Sequence, residues 1–298
     1  MNKKIALFVF ILLVTLALVS AGGTGERQGE KSKPLIALSI LPQQYAVNRI
    51  GGELVETVVL VGPGQNPHNW EMNPRQMTLL NESDAWVLSG VDFENSLVPK
   101  IASLYPRLKI IDGTAGVTFR SLEEHSAADH LHDSEIDRHS WLGREPMKIM
   151  ARHIEAFLSS FDQQNSAIYK KNLEIFLADI DTLFDSLKTK LAPLKGSNVL
   201  VYHPSFGYLF DEFGLVQKAI ETGGKEPTAK NLTAIIEEAK KEGTRAIFVQ
   251  AQFPLSSAQS IAKAINAQVL PLDPLAYDWL ENIALIGNTL YLTLQGGE

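Results

Sequence analysis

Residues 165–192 read NSAIYKKNLEIFLADIDTLFDSLKTKLA. Tyr169, Leu173, Phe176, Leu177, Ile180, Leu183, Phe184 and Leu187 recur at intervals of one, three and four, and no glycine or proline interrupts them. That is the 3.6-residue period of a helix with one apolar side, roughly 25 residues or about 40 Å long at 1.5 Å per residue. Pro193 and Gly196 close it. A shorter helical face of Ile154, Phe157, Leu158 and Phe161 precedes it, across a polar break at 163–165.

On either side the rhythm changes. Strand-length apolar runs at 35–40, 55–60, 85–89 and 109–111 alternate with helical patterns such as 74–81. A second set at 198–202, 216–220, 246–250 and 268–272 alternates with helical runs at 232–242 and 257–265. This alternation predicts parallel β-α units. The expected fold class is α/β: two α/β lobes with parallel sheets, 34–164 and 193–298, joined by one long rigid helix over 165–192.

The N-terminus is of another kind. Lys3 and Lys4 precede an apolar run over 5–19 and a small-residue exit, Val19-Ser20-Ala21. This is the pattern of a secretory signal peptide over 1–21. The run is short for a membrane span of about 20 residues, so a retained anchor is the alternative and cleavage the expectation. Residues 22–33, GGTGERQGEKSK, read as a flexible tether. The whole chain carries a net charge of −7, and losing the leader removes two lysines and no acid. A basic nucleic-acid-binding surface is not expected on that balance. With no cysteine in the sequence, thiol catalysis, cysteine-ligated metal and a thioether lipid anchor are excluded. An exported chain of this size buries enough core to dispense with disulfides.

Candidate chemistry lies in the histidines. Ligands of parallel α/β sheets gather at the carboxyl ends of strands. His203 stands there after 198–202, and Asp273 after 268–272. His68, in GPGQNPHNWEMNP, and His139, in DRHSWLG, are loop residues of the first half, each beside a tryptophan. Three imidazoles and one carboxylate make a complete tetrahedral set for Zn²⁺. A strand-end histidine is also commonly just a hydrogen-bonded loop residue, and no local motif of the H-E-x-x-H kind ties these four together. His153 reads as a partly exposed helix residue. His125, His130 and His132 fall in an acidic stretch, 123–137. They are candidate auxiliary ligands, weak and exchangeable, or simply part of a solvated loop.

Five stretches bring a resemblance: NPHNWEMNP (66–74), DRHSWL (137–142), YHPSFGYLFDEFGL (202–215), FVQAQFPLSSAQSIAKAI (248–265) and LDPL (272–275). From about 34 to 295 the chain resembles the zinc- and manganese-binding solute-binding proteins of bacterial ABC importers. The resemblance implies two lobes bridged by a single long helix, with metal in the cleft between them. It implies ligands at the histidine of P-H-x-x-E (His68), the histidine of D-P-H-x-W (His139), the head of H-x-x-F-x-Y (His203) and the aspartate of D-P-L (Asp273). Arg138 stands where the second motif usually has proline, the later proline of that motif is delayed to Pro146, and Met72 replaces a common proline in the first. These departures leave His132 as a competitor of His139.

The resemblance therefore implies an extracytoplasmic, high-affinity Zn²⁺ receptor, periplasmic or secreted, that acts as a monomer and hands its ion to a membrane permease. Histidine at the third ligand position implies zinc rather than manganese, with a manganese or other divalent-metal receptor of the same family as the alternative. A zinc hydrolase using His68 and Glu71 is the enzymatic alternative, but four protein ligands leave no open position for water. A surface protein with incidental metal is the third, against which the strand-end placement of His203 and Asp273 speaks. No enzyme activity is expected.

Overall fold

The computed structural model describes residues 33–122, 136–221, 227–253 and 255–295. The expected signal peptide, the tether up to residue 32, and His125, His130 and His132 lie outside them.

The fold is α/β, with two parallel four-stranded sheets. The first contains β1 (Leu35–Leu38), β2 (Glu56–Val59), β3 (Ala85–Leu88) and β4 (Lys109–Asp112) in the order β2-β1-β3-β4. The second contains β5 (Asn198–Val201), β6 (Val216–Ala219), β7 (Ala246–Val249) and β8 (Gln268–Pro271) in the order β6-β5-β7-β8. The two orders are the same, shifted by four strands. In each sheet the chain moves outward from its first strand on one side and then on the other, so a crevice opens at that strand's carboxyl end. Most strands end a residue or two before the apolar runs that predicted them, although ladder-like bonds continue beyond, such as Tyr202 N–H to Phe248 O at 2.8 Å.

The helices between strands begin where local chemistry starts them. In α1 (Leu41–Gly51) the Gln43 side chain accepts from the backbone N–H of Ser39 and Ile40 and donates to Val87 O at 3.0 Å, pinning the helix to two strands. In α2 (Pro74–Glu82), Asn73 and Gln76 form a reciprocal capping box, each side chain accepting the other's N–H at 3.0 Å, with Pro74 at the first helical position. Next comes α3 (Asp92–Leu104). The second lobe adds α6 (Gly207–Phe213), α7 (Ala229–Glu242), α8 (Leu255–Ile265) and α9 (Trp279–Leu294).

The first lobe ends with α4 (Arg144–Phe161), and one 3-10 turn over Gln163–Asn165 leads into α5 (Ser166–Leu191), which bridges the lobes. The two helices run antiparallel: Arg144 meets Asp181 and Asp185, and Lys148 meets Asp181, all at 2.8–2.9 Å. The Gly143-Arg144-Glu145 run, which delays the usual proline, is the start of α4, with Pro146 in its first turn, where a missing N–H costs nothing. The apolar side of α5 is buried as its period requires, at Tyr169, Phe176, Ile180, Phe184 and Leu187. Its first half packs on the first lobe: Phe176 meets Tyr45 edge-on at 5.9 Å, and Asn172 donates to Ile50 O. Its second half packs on the second lobe: Phe184 stacks on Trp279 at 6.0 Å, and Leu187 lies so close to Gly287 that a Cβ there would collide with it. Core residues of both lobes and of this helix form one continuous apolar cluster, and a smaller one (Leu200, Tyr202, Ile247, Val249) fills the far face of the second sheet under α7 and α8. Among the described residues no helix is long and apolar enough to cross a membrane.

Candidate metal centre

His203 follows β5 at the crevice of the second sheet. Its backbone is clamped by Gln250 at the end of β7, which accepts from His203 N–H at 3.2 Å and donates to His203 O at 2.6 Å. Phe253 stacks on its ring at 4.8 Å. His68 arrives from the first lobe on a short 3-10 turn, Pro67–Asn69, whose cap Asn66 accepts the His68 N–H. His139 stands on the loop leading to α4.

That loop is fastened from the second lobe. Tyr208 Oη donates to Asp137 O and accepts from Arg120 N–H, both at 3.0 Å. A Cβ at Gly207 would run into the Arg120 guanidinium and lie 2.7 Å from the Asp137 carboxylate, so only glycine lets α6 approach this closely. Trp141 donates to Pro274 O, and Trp279 donates to Trp141 O, both at 2.8 Å. The stretches around His139, His203 and Asp273 are thus mechanically one unit.

The three imidazoles converge. His68 Nε2 is 3.1 Å from His203 Nε2, which is 3.2 Å from His139 Nε2. Each Nδ1 faces a carboxylate: His68 faces Asp92 at 3.3 Å, His139 faces Asp137 at 2.9 Å, and His203 makes a short contact with Glu221. An ionised carboxylate only accepts, so each Nδ1 carries the proton and each Nε2 presents a lone pair to the same small space. A tetrahedral ion with nitrogens at about 2.0–2.1 Å has neighbouring nitrogens about 3.3–3.4 Å apart, close to the separations observed. The cavity bounded by His68, His139, His203, Trp141 and Phe253 measures ≈ 10 Å³, room for one atom-sized guest.

Electrostatics agree with this geometry. Burial pushes His203 down to about 4, against the opposing pull of Glu221, so the ring stays neutral and metal-ready through the ordinary histidine range. The hydrogen bond from His68, with Arg138 nearby, holds Asp92 below the usual carboxylate range. Asp137 is fully buried; desolvation alone would raise it, but His139 and Arg120 together bring it below the usual range.

Of the residues expected from sequence, His68, His139 and His203 offer ligand atoms all within 4.8 Å of one another. Asp273 stands outside that group: its Oδ1 accepts from Gln252 Nε2 at 3.1 Å and Leu275 N–H at 2.9 Å. Glu71 is exposed and also outside it. His153 is half-buried on α4 and hydrogen-bonds Ala115 O at 2.8 Å, an ordinary structural role. Arg138, in the usual place of proline, makes an ion pair with Asp92 at 2.5 Å. Sequence reasoning missed the three supporting carboxylates. The signal for Glu221 was an acid directly after a buried strand end.

The family model for "Zinc-uptake complex component A periplasmic" matches residues 36–290. A solved structure of ZnuA is 35% identical with a TM-score of 0.81, covering 87% of this chain and 98% of its own. A zinc-bound ZnuA lacking its residues 138–173 is 34% identical with a TM-score of 0.82, covering 89% and 99%. The high-affinity zinc uptake system protein ZnuA of Paracoccus denitrificans is 26% identical over 87% of this chain and 89% of its own length.

Proposed function

The chain belongs to the family of zinc-uptake complex component A periplasmic proteins, and from that premise we propose that it is an extracytoplasmic receptor that captures Zn²⁺ between its lobes and delivers it to an ABC-importer permease. His68, His139 and His203 hold the ion through Nε2. Asp273 supplies the fourth donor, through the oxygen not engaged by Leu275 and Gln252. The lobes span 34–164 and 193–298 with α5 between them, and the loop histidines His125, His130 and His132 serve as outer, exchangeable ligands. The protein works as a monomer outside the cytoplasm.

One observation carries this reading: three imidazoles from separate segments and both lobes aim lone pairs at one point, each locked in the required tautomer by a carboxylate. The space is sized for an ion, whereas a hydrolase needs room for a substrate and an acid or base beside it. Zinc binding, read by competition with a chelator of known affinity, tests it. His203→Ala is expected to lower the affinity at least tenfold, about 1.4 kcal/mol, while the metal-free fold survives on its two apolar cores. Asp273→Ala is expected to weaken zinc less than His203→Ala. Unaltered zinc binding by His203→Ala removes that residue from the site.

A further inference from the structure

The three supporting carboxylates are not equivalent. Asp92 faces Arg138 at 2.5 Å, and Asp137 faces Arg120 at 2.9 Å. Glu221 faces no arginine or lysine among the described residues. Its Oε2 contacts His203 Nδ1, its Oε1 is buried without a hydrogen-bond partner, and the residue is 2% exposed. A buried carboxylate with a single neutral donor is in a costly state, because it has lost its water and, among the described residues, gained no counter-charge.

We propose that the counter-cation of Glu221 is the captured metal ion itself. Resting on the reading that the histidines hold Zn²⁺, Glu221 is a positioning residue with a second effect. It fixes the proton on His203 Nδ1, and it leaves the metal-free protein with a buried negative charge that a dication on the far side of the same ring offsets. The attraction passes across one imidazole in a water-poor setting, where charge interactions are stronger than at the surface. Asp92 and Asp137, already neutralised by arginines, orient their histidines without this charge effect.

This role has a signature that simple structural support lacks. Glu221→Gln keeps an oxygen for the Nδ1 proton but removes the charge. The metal-free state then gains stability while the metal-bound state loses attraction. A carboxylate that only braced the fold would lower both.

The experiment uses the full chain as wild type, E221Q and E221D, with Zn²⁺ alone as ligand. Affinity is read by chelator competition at pH 7.5, and thermal melting is read with metal stripped and with zinc saturating. E221Q is expected to bind zinc at least tenfold more weakly while its metal-free form melts higher than wild type, by about 2 °C or more. E221D, shorter but still charged, is expected to bind zinc more tightly than E221Q. Wild-type affinity in E221Q overturns the inference. So does an E221Q that fails to fold or melts lower without metal, or an E221D no better than E221Q. A wild type that takes up no zinc sinks the function itself, and the inference with it; a wild type that binds beside an E221Q that binds equally sinks the inference alone.

Discussion

Among the described residues each lobe buries one glutamate beside the carboxyl end of its opening strand, and the surroundings of the two differ. Glu94, in the first turn of α3, accepts from Ser89 N–H, Ser89 Oγ and Gly90 N–H at 2.8–3.1 Å. Ser39, just past β1, adds a further hydrogen bond and itself accepts from Trp86 Nε1. That crevice is closed by its own polar groups. Glu221, just past β6, has one donor, and that donor is a ring of the metal centre. Two sheets of the same strand order have thus arranged their crevices differently, one as a satisfied core and one as the footing of the histidine cluster. Strand topology selects where a site can form, and the local supply of donors decides which crevice becomes one.

The largest expected effect probes the satisfied side. Glu94→Ala leaves two backbone N–H groups and the hydroxyls of Ser89 and Ser39 buried without this acceptor, and should cost about 3 kcal/mol or more in urea unfolding. Zinc affinity of the folded remainder should stay within about threefold of wild type. A cost below about 1 kcal/mol would erase the contrast between the two glutamates.

Acid titration of the metal-free protein should separate His203 from Glu94 by sign. His203 is depressed to about 4 from an ordinary 6.5. Between those values the unfolded chain binds a proton that the folded chain does not. Stability present above 6.5 is therefore lost as pH falls toward 4, on the order of 3 kcal/mol. Glu94 is raised by burial, so on acidification the folded state takes up its proton before the unfolded chain does, and stability moves the other way. Urea midpoints from pH 7 to 4 should fall in the wild type and fall less in His203→Gln. In Glu94→Gln the fall should be steeper, because the opposing contribution is gone. Identical slopes in all three would refute the assignment.

Metal choice tests the open side. The proposed set of three imidazole nitrogens and the Asp273 carboxylate would favour four-coordinate zinc, whereas manganese binds nitrogen sites weakly and prefers more oxygen. Zinc should exceed manganese by at least about a hundredfold, or about 2.7 kcal/mol, in competition at pH 7.5, and His203→Glu should narrow the gap. Equal affinities would refute it. The smallest effect belongs to Arg138. Arg138→Ala removes a partly exposed cation from Asp92 and should weaken zinc only about threefold, less than 1 kcal/mol. A larger loss than that of E221Q would reverse the ranking of the supporting carboxylates.

Much of this molecule was legible in its sequence because the signals were periodic. The apolar runs at 35–40 and 198–202 became β1 and β5, and the face from Tyr169 to Leu187 became α5. All four expected donors were chosen from the sequence, and the structure brings the three histidines among them within 4.8 Å of one another. The rest depended on contacts between distant segments. Nothing local marks Asp92 as the partner of His68, 24 residues away, or Glu221 as the partner of His203, 18 away. Asp137, two residues before His139, was in plain view within DRHSWL, but its role depends on Tyr208 and Arg120 holding the loop. The engagement of Asp273 by Leu275 and Gln252 was also invisible, because nothing in D-P-L marks which groups its carboxylate meets.

The long helix has a consequence of its own. Its first half is keyed to Tyr45 and its second to Trp279 and Gly287, and each residue of an α-helix advances the chain by about 1.5 Å and turns it by about 100°. One residue inserted near Asp179 would leave every histidine in place in the sequence, yet rotate one lobe against the other by more than a quarter of a turn, or else force α5 to bulge. The gap between His68 and His203 is thus measured in whole helical steps. A segment that adds no side chain to the histidine cluster acts as its gauge block, because its residue count sets how the two lobes meet.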